Sequence, residues 1–162
     1  MARLLRYAAT SAGPLTENRA HGVAARFALA IYEPRTIYSL IPKNGCSTMR
    51  YALARANGAI NGPDQIDWIH ENTHTFAADL RDLATAAYTF VILRCPFRRL
   101  ASAFLDKIVG RYPPFWRLFS QTDTPDPEAV TYRQMVERLT RPGGLRSDVH
   151  WRPQADFLVY QD

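Results

Sequence analysis

Apolar positions along the chain fall into short runs of two kinds, and their alternation predicts the elements. Thr36 to Ile41 is short, β-branched and aromatic, and it stops at Pro42, which reads as a strand. Met49, Ala52, Leu53 and Ala56 then recur at i, i+3, i+4 and i+7. That is one face of a helix, ended by Asn57-Gly58, with Cys46 or Ser47 at its N-terminal end. Phe76, Leu80, Leu83 and Ala84 predict a second helix. Tyr88 to Leu93 is apolar almost throughout, the pattern of a strand buried on both faces. Past Arg94-Cys95-Pro96 comes a helical stripe of Phe97, Leu100, Ala101, Phe104, Leu105 and Ile108, with Pro96 suited to the first helical position. Asp126-Pro127 reads as the cap and first residue of another helix. Its apolar face is Tyr132, Met135, Val136 and Leu139, and Pro142-Gly143-Gly144 ends it. Phe157 to Tyr160 reads as a last strand.

Two stretches resist this reading. Residues 1–30 show little period, although Ala24 to Ile31 is apolar and fits either a short helix or a strand. Arg111 to Asp126 mixes Pro, aromatic and polar residues, as a long loop does. Strands alternating with helices predict an α/β fold with a mainly parallel sheet flanked by helices. The 162 residues suit a single domain, 1–162.

Composition narrows the class. Apolar and aromatic residues make up 47% of the chain, enough for a core, which sets aside a disordered or collagen-like chain. A net charge of +5 favours anionic ligands, among them phosphorylated cofactors, nucleic acid, acidic glycans and an anionic membrane surface. Two cysteines, Cys46 and Cys95, are too few for a disulfide framework and match no zinc spacing. No apolar run reaches a membrane-spanning length, and Met1 to Gly13 has no sustained apolar core of a signal peptide. A cytoplasmic setting is the expectation. Nothing in the pattern sets an oligomeric state.

The chemistry concentrates at two strand-to-helix loops, where ligands sit in open parallel sheets. The first is Lys43-Asn44-Gly45-Cys46-Ser47-Thr48. A helix N-terminus offers unpaired amides, Gly45 allows close backbone approach, Lys43 adds a charge, and Ser47 and Thr48 add hydroxyl donors. The nucleoside triphosphate loop G-x-x-x-x-G-K-[ST] is absent, because the lysine precedes a single glycine. The second loop starts at Arg94, with Ser102 eight residues on; an arginine fork and a hydroxyl can grip one phosphate together.

Together the loops resemble the sulfotransferase superfamily, most closely the carbohydrate sulfotransferases of the chondroitin and HNK-1 type and their bacterial relatives. Pro42-Lys43-Asn44-Gly45-Cys46-Ser47 resembles the 5′-phosphosulfate loop, roughly Pro-Lys-x-x-Cys/Ser-Ser/Thr. Arg94 through Lys107 resembles the 3′-phosphate motif, roughly Arg-Asp/Glu-Pro-Phe-x-Arg-Leu-x-Ser-Ala-Tyr-x-x-Lys. His150-Trp151-Arg152-Pro153-Gln154 resembles the late His-Trp segment, so the likeness covers residues 36–160. Cys95 stands where the family has an acidic residue, and Phe104 where it has tyrosine. The chain ends just after the His-Trp block, where relatives continue, so a C-terminally shortened domain is expected.

The resemblance implies a P-loop-NTPase-like fold. It also implies transfer of a sulfuryl group from 3′-phosphoadenosine 5′-phosphosulfate (PAPS) to a hydroxyl acceptor, a carbohydrate or glycolipid, without a metal. It assigns Lys43, Asn44, Gly45, Cys46, Ser47 and Thr48 to the 5′-phosphosulfate, and Arg94 and Ser102 to the 3′-phosphate. Lys43 would also neutralise the leaving phosphate. The general base is expected in Trp68 to His74, with His70, Glu71 and His74 as candidates. His150 and Trp151 either line the cofactor pocket or pack in the core. Lys107, Arg111, Tyr112, Trp116 and Arg117 form a basic, aromatic stretch suited to a sugar or acidic glycan. Peripheral membrane contact fits the charge; nucleic acid is not expected, because the arginines are scattered. The rival readings are a magnesium-dependent, kinase-like phosphotransferase, a basic nucleic-acid-binding module, and a relative that binds PAPS without turnover.

Overall fold

The computed structural model describes residues 4–72, 74–112, 115 and 130–161. The chain divides into two compact units, Met1–Leu93 with Gln154–Asp162, and Arg94–Pro153.

The first unit is built on a three-stranded sheet, order β1-β2-β3: β1 is Ala28–Ile31, β2 Thr36–Ser39 and β3 Tyr88–Val91. β1 pairs antiparallel with β2, and β2 pairs parallel with β3, from Thr36 opposite Tyr88 to Ser39 opposite Val91. The fold is thus mixed α/β, and the sheet is half parallel rather than mainly so. Side-chain alternation divides the core by sheet face. Ala28, Ala30 and Ile37 pack with Ala24 of α1 (Arg19–Arg26), Leu83 of α4 (Leu80–Thr85), Val159 and Tyr160. Leu29, Tyr38 and Leu40 pack on the other side with Leu53 and Ala54 of α2 (Cys46–Ala56) and Ile69 of α3 (Trp68–Glu71).

Local chemistry sets the helix starts. The Asn18 side chain accepts from the His21 amide and caps α1. Asp79 and Asp82 close a reciprocal capping box on α4, so that helix begins at Leu80, and Phe76 lies ahead of it, beside β1.

Two strand expectations are corrected. β3 is not buried on both faces: Tyr88 is 61% exposed and its other residues are half-buried. Among the described residues β3 pairs only with β2, so its apolar run lines an edge. Phe157 to Tyr160 is not a sheet strand. Gln154–Phe157 forms a tight helical turn, and Tyr160 makes a single antiparallel bridge to Leu5.

In the second unit, Pro96 opens α5 (Pro96–Ala103) as its first-turn proline. The helix then widens into a π-helical stretch, Phe104–Val109, where the Gly110 amide reaches back five residues to the Leu105 carbonyl at 3.1 Å. α6 (Tyr132–Leu139) is opened by a Thr131–Gln134 capping box. The Asp126-Pro127 start lies outside the described residues. Ile108, Phe115, Val130, Met135, Leu139 and Trp151 form this unit's core.

Candidate functional site

The first loop leaves the carboxyl end of β2. Leu40, Ile41 and Pro42 are buried, and the backbone then takes left-handed geometry at Lys43 (φ 71°) and at Gly45 (φ 77°). The two reversals bring the chain straight into α2. No side chain caps that helix, and Ser47 and Thr48 in its first turn are exposed. This is the geometry of an anion cradle: left-handed residues, an uncapped helix N-terminus and a lysine.

Asn44 has a different job from its neighbours. Its side chain is 3% exposed. The Asn44 amide group donates to the Ile92 carbonyl at 2.7 Å and to Gln154 Oε1 at 2.6 Å. It ties the loop to the chain that follows β3 and to the returning C-terminal segment. Both side-chain hydrogen bonds are thus spent within the protein.

Beneath α2, Tyr38 is fully buried and stacked on Phe90 at 4.9 Å, and its hydroxyl has no partner among the described residues. Burial pushes its pKa up to about 12, with Cys46 adding to the rise and Arg50 opposing it. On α1, His21 is buried and its pKa is lowered by that burial; Tyr7 packs edge-on against it at 6.5 Å.

In the second unit, Arg94 is exposed and Ser102 is half-buried on α5. Cys95 is the N-cap residue of α5. Backbone hydrogen bonds from Arg98, then Phe97, hold its exposed thiol below the usual value against desolvation, and the charges of Arg98 and Arg94 add to the effect.

Arg99 is 4% exposed, a rare environment for arginine. Its guanidinium donates to the Arg152 carbonyl at 2.8 Å and to the Val149 carbonyl at 3.1 Å. The helix that carries Ser102 thus holds the carbonyls on both sides of the His150-Trp151 segment. Trp151 is buried against Phe115, and its indole donates to Ser147 Oγ at 3.1 Å. Lys107, on the π-helical stretch, lies over the Tyr112 ring at 4.1 Å and pairs with Asp106 at 3.0 Å.

A family model described as the sulfotransferase family matches residues 32–162. The chain belongs to the sulfotransferase family. Among curated proteins and among solved structures, nothing matches. Membership makes the protein a transferase of sulfuryl groups.

Within this sulfotransferase the expected site residues divide between the units. Lys43 to Thr48 run from the loop into the first turn of α2 in the first unit, while in the second Arg94 lies two residues ahead of α5 and Ser102 near its end. His70, Glu71 and His74 are all exposed, and among the described residues no side chain orients either histidine. Trp116 and Arg117 lie outside the described residues, while Lys107 is committed to Asp106 and two aromatic rings. Among the described residues no group of three His, Cys, Asp or Glu side chains could hold a metal, and no helix is long and apolar enough to cross a membrane. Sequence reasoning missed the clamp made by Arg99, although a second arginine at a fixed place in the motif was its visible sign.

Proposed function

We propose that this sulfotransferase takes its sulfuryl group from PAPS and passes it to a hydroxyl on a carbohydrate or glycolipid. The observation that carries this reading is the β2–α2 loop, where two left-handed residues and an uncapped helix face a lysine-bearing turn. Such a cradle suits a phosphosulfate, whose charge meets amide donors and the helix dipole.

The roles follow from charge. Lys43 neutralises the phosphate oxygen on which charge grows as sulfur leaves, and the amides and hydroxyls from Gly45 to Thr48 hold the non-reacting oxygens. Arg94 and Ser102 bind the 3′-phosphate, the group that separates PAPS from other adenine nucleotides. Asn44 acts as a strut, keeping the cradle's backbone in register. The acceptor proton needs a base, for which His70, Glu71 and His74 are the candidates in the first unit. The basic net charge favours an acidic acceptor or one at an anionic surface.

Calorimetric titration with 3′-phosphoadenosine 5′-phosphate (PAP), AMP and ATP tests the donor. PAP is expected to bind at least about tenfold tighter than AMP, and Arg94→Ala to erase most of that difference. Equal binding of the three nucleotides would overturn the reading.

A further inference from the structure

The chain enters α5 without burying a side chain. Arg94, Cys95, Pro96, Phe97 and Arg98 are all exposed, Phe97 to 81%. Among the described residues from 94 to 99 only Arg99 is buried, and Ala103, fully buried, is the next in the helix. What Arg99 grips is itself fixed. Its guanidinium donates to two carbonyls three residues apart, Arg152 at 2.8 Å and Val149 at 3.1 Å. Between them Trp151 is anchored in the core of the same unit, 5.5 Å from the Phe115 ring and hydrogen-bonded to Ser147 Oγ. Arg152 in turn donates to the Arg146 carbonyl at 2.8 Å. The Arg99 amide also donates to the Cys95 carbonyl at 2.9 Å, next to Arg94. A continuous path thus joins the core, Trp151, the carbonyls around it, Arg99 and the start of α5.

A lever argument shows what that path controls. At the rise of an α-helix, Pro96 to Ala103 spans about 10 Å. A tilt of about 10° about the Ala103 end moves the Pro96 end, with Arg94 just ahead of it, by about 2 Å, while Ser102 beside the pivot hardly moves. A shift of that size takes a guanidinium out of hydrogen-bond range of a phosphate held at Ser102. The one buried contact near the moving end is Arg99.

We infer that Arg99 is the positioning residue of the 3′-phosphate site: it sets α5 so that Arg94 and Ser102 meet one phosphate, and so makes the protein select 3′-phosphorylated adenine nucleotides. The inference rests on the PAPS-dependent reading above. Arg99, Arg94 and Ser102 all belong to the second unit. At 4% exposure Arg99 has almost no surface to offer a ligand, so it acts through the helix it holds. The position needs arginine for its shape as well as its charge. A planar fork meets two carbonyls at once, whereas a lysine there carries the charge on a single nitrogen.

Calorimetric titration with PAP and AMP tests this, because the two nucleotides differ only in the 3′-phosphate. Arg99→Met removes the fork and keeps similar length. It is expected to lower PAP affinity about tenfold and AMP affinity by less than about twofold. Arg99→Lys keeps the charge and is expected to lose about threefold or more in PAP affinity; it carries the same test if Arg99→Met does not fold. In an Arg94→Ala background, adding Arg99→Met should change PAP affinity by less than about twofold, since the main group it aims is gone. An equal loss for PAP and AMP would overturn the inference, because it marks an effect on the whole fold. So would the full tenfold loss persisting in the Arg94→Ala background. If Arg99→Met and Arg99→Lys keep the wild-type preference for PAP, the inference alone falls and the donor reading stands. A wild-type protein with no preference for PAP overturns the donor reading and the inference with it.

Discussion

Tyr38 carries a hydroxyl into the densest part of the first unit and leaves it without a partner among the described residues. A buried unpaired hydroxyl costs free energy that a phenylalanine of the same shape would not, so Tyr38→Phe is expected to stabilise the protein by about 1 kcal/mol in urea unfolding. The stacked contact with Phe90 survives the change. The pH dependence has a definite sign. The folded pKa of about 12 lies above the ordinary 10.0, so the neutral phenol is the form folding favours. Its contribution is complete below pH 10 and fades as the pH climbs towards 12. Wild type minus Tyr38→Phe should therefore become more unfavourable across that window, and a flat difference would show that Tyr38 ionises as freely folded as unfolded. Cys95 titrates in the opposite direction. Its lowered pKa keeps a thiolate at the start of α5 at pH values where an ordinary thiol is protonated. Iodoacetamide labelling followed by mass spectrometry should place the midpoint for Cys95 below that of free cysteine.

The β2–loop–α2 element shows how much local structure a sequence carries. Pro42 and Gly45 mark a turn, and the apolar spacing of Met49 to Ala56 marks the helix, so both were legible from neighbours in the chain. Pro96 announced α5 in the same way. What was not legible depends on partners far away in sequence. Arg99 reads as one more basic residue on a helix until its carbonyl partners, some fifty positions on, are in place. Asn44 reads as a loop residue, yet its partner Gln154 is 110 positions distant. The exposure of β3 also escaped, because an apolar run reports composition and says nothing of whether a neighbouring strand exists. The loop offers a clean test of its own geometry. A Cβ added at Gly45 would meet nothing within 4 Å, so Gly45→Ala costs only the left-handed backbone at φ 77°. That strain is worth about 1–2 kcal/mol in unfolding free energy, and Gly45→Asn should recover part of it. A loss far above this range would mean the side chain meets packing that the open space does not contain.

At the scale of the whole chain, the first unit is closed by residues that follow the second. Gln154–Asp162 returns after Arg94–Pro153 has formed a unit of its own. The returning segment behaves as core, even though it forms no sheet strand. Phe157 and Val159 are fully buried, and Phe157 packs edge-on against Phe27 at 5.0 Å. The Tyr160 hydroxyl donates to the Leu83 carbonyl at 2.9 Å, and Gln154 accepts from Asn44 in the loop. A segment of nine residues therefore holds α1, α4 and the anion cradle at once. Phe157→Ala removes a large buried ring where rigid neighbours cannot close in, which costs about 3–5 kcal/mol. Against a total stability of about 5–15 kcal/mol for a domain, that is enough to bring the protein near its unfolding midpoint. Urea unfolding is the measurement, and Phe157→Leu should lose less than half as much, because it keeps most of the volume. If the loop binds the donor as proposed, it should weaken together with the core, and PAP affinity of Phe157→Ala should recover when unfolding is suppressed at lower temperature or with a stabilising osmolyte. A Phe157→Ala protein as stable as wild type would show that the returning segment only lies on the first unit and does not close it.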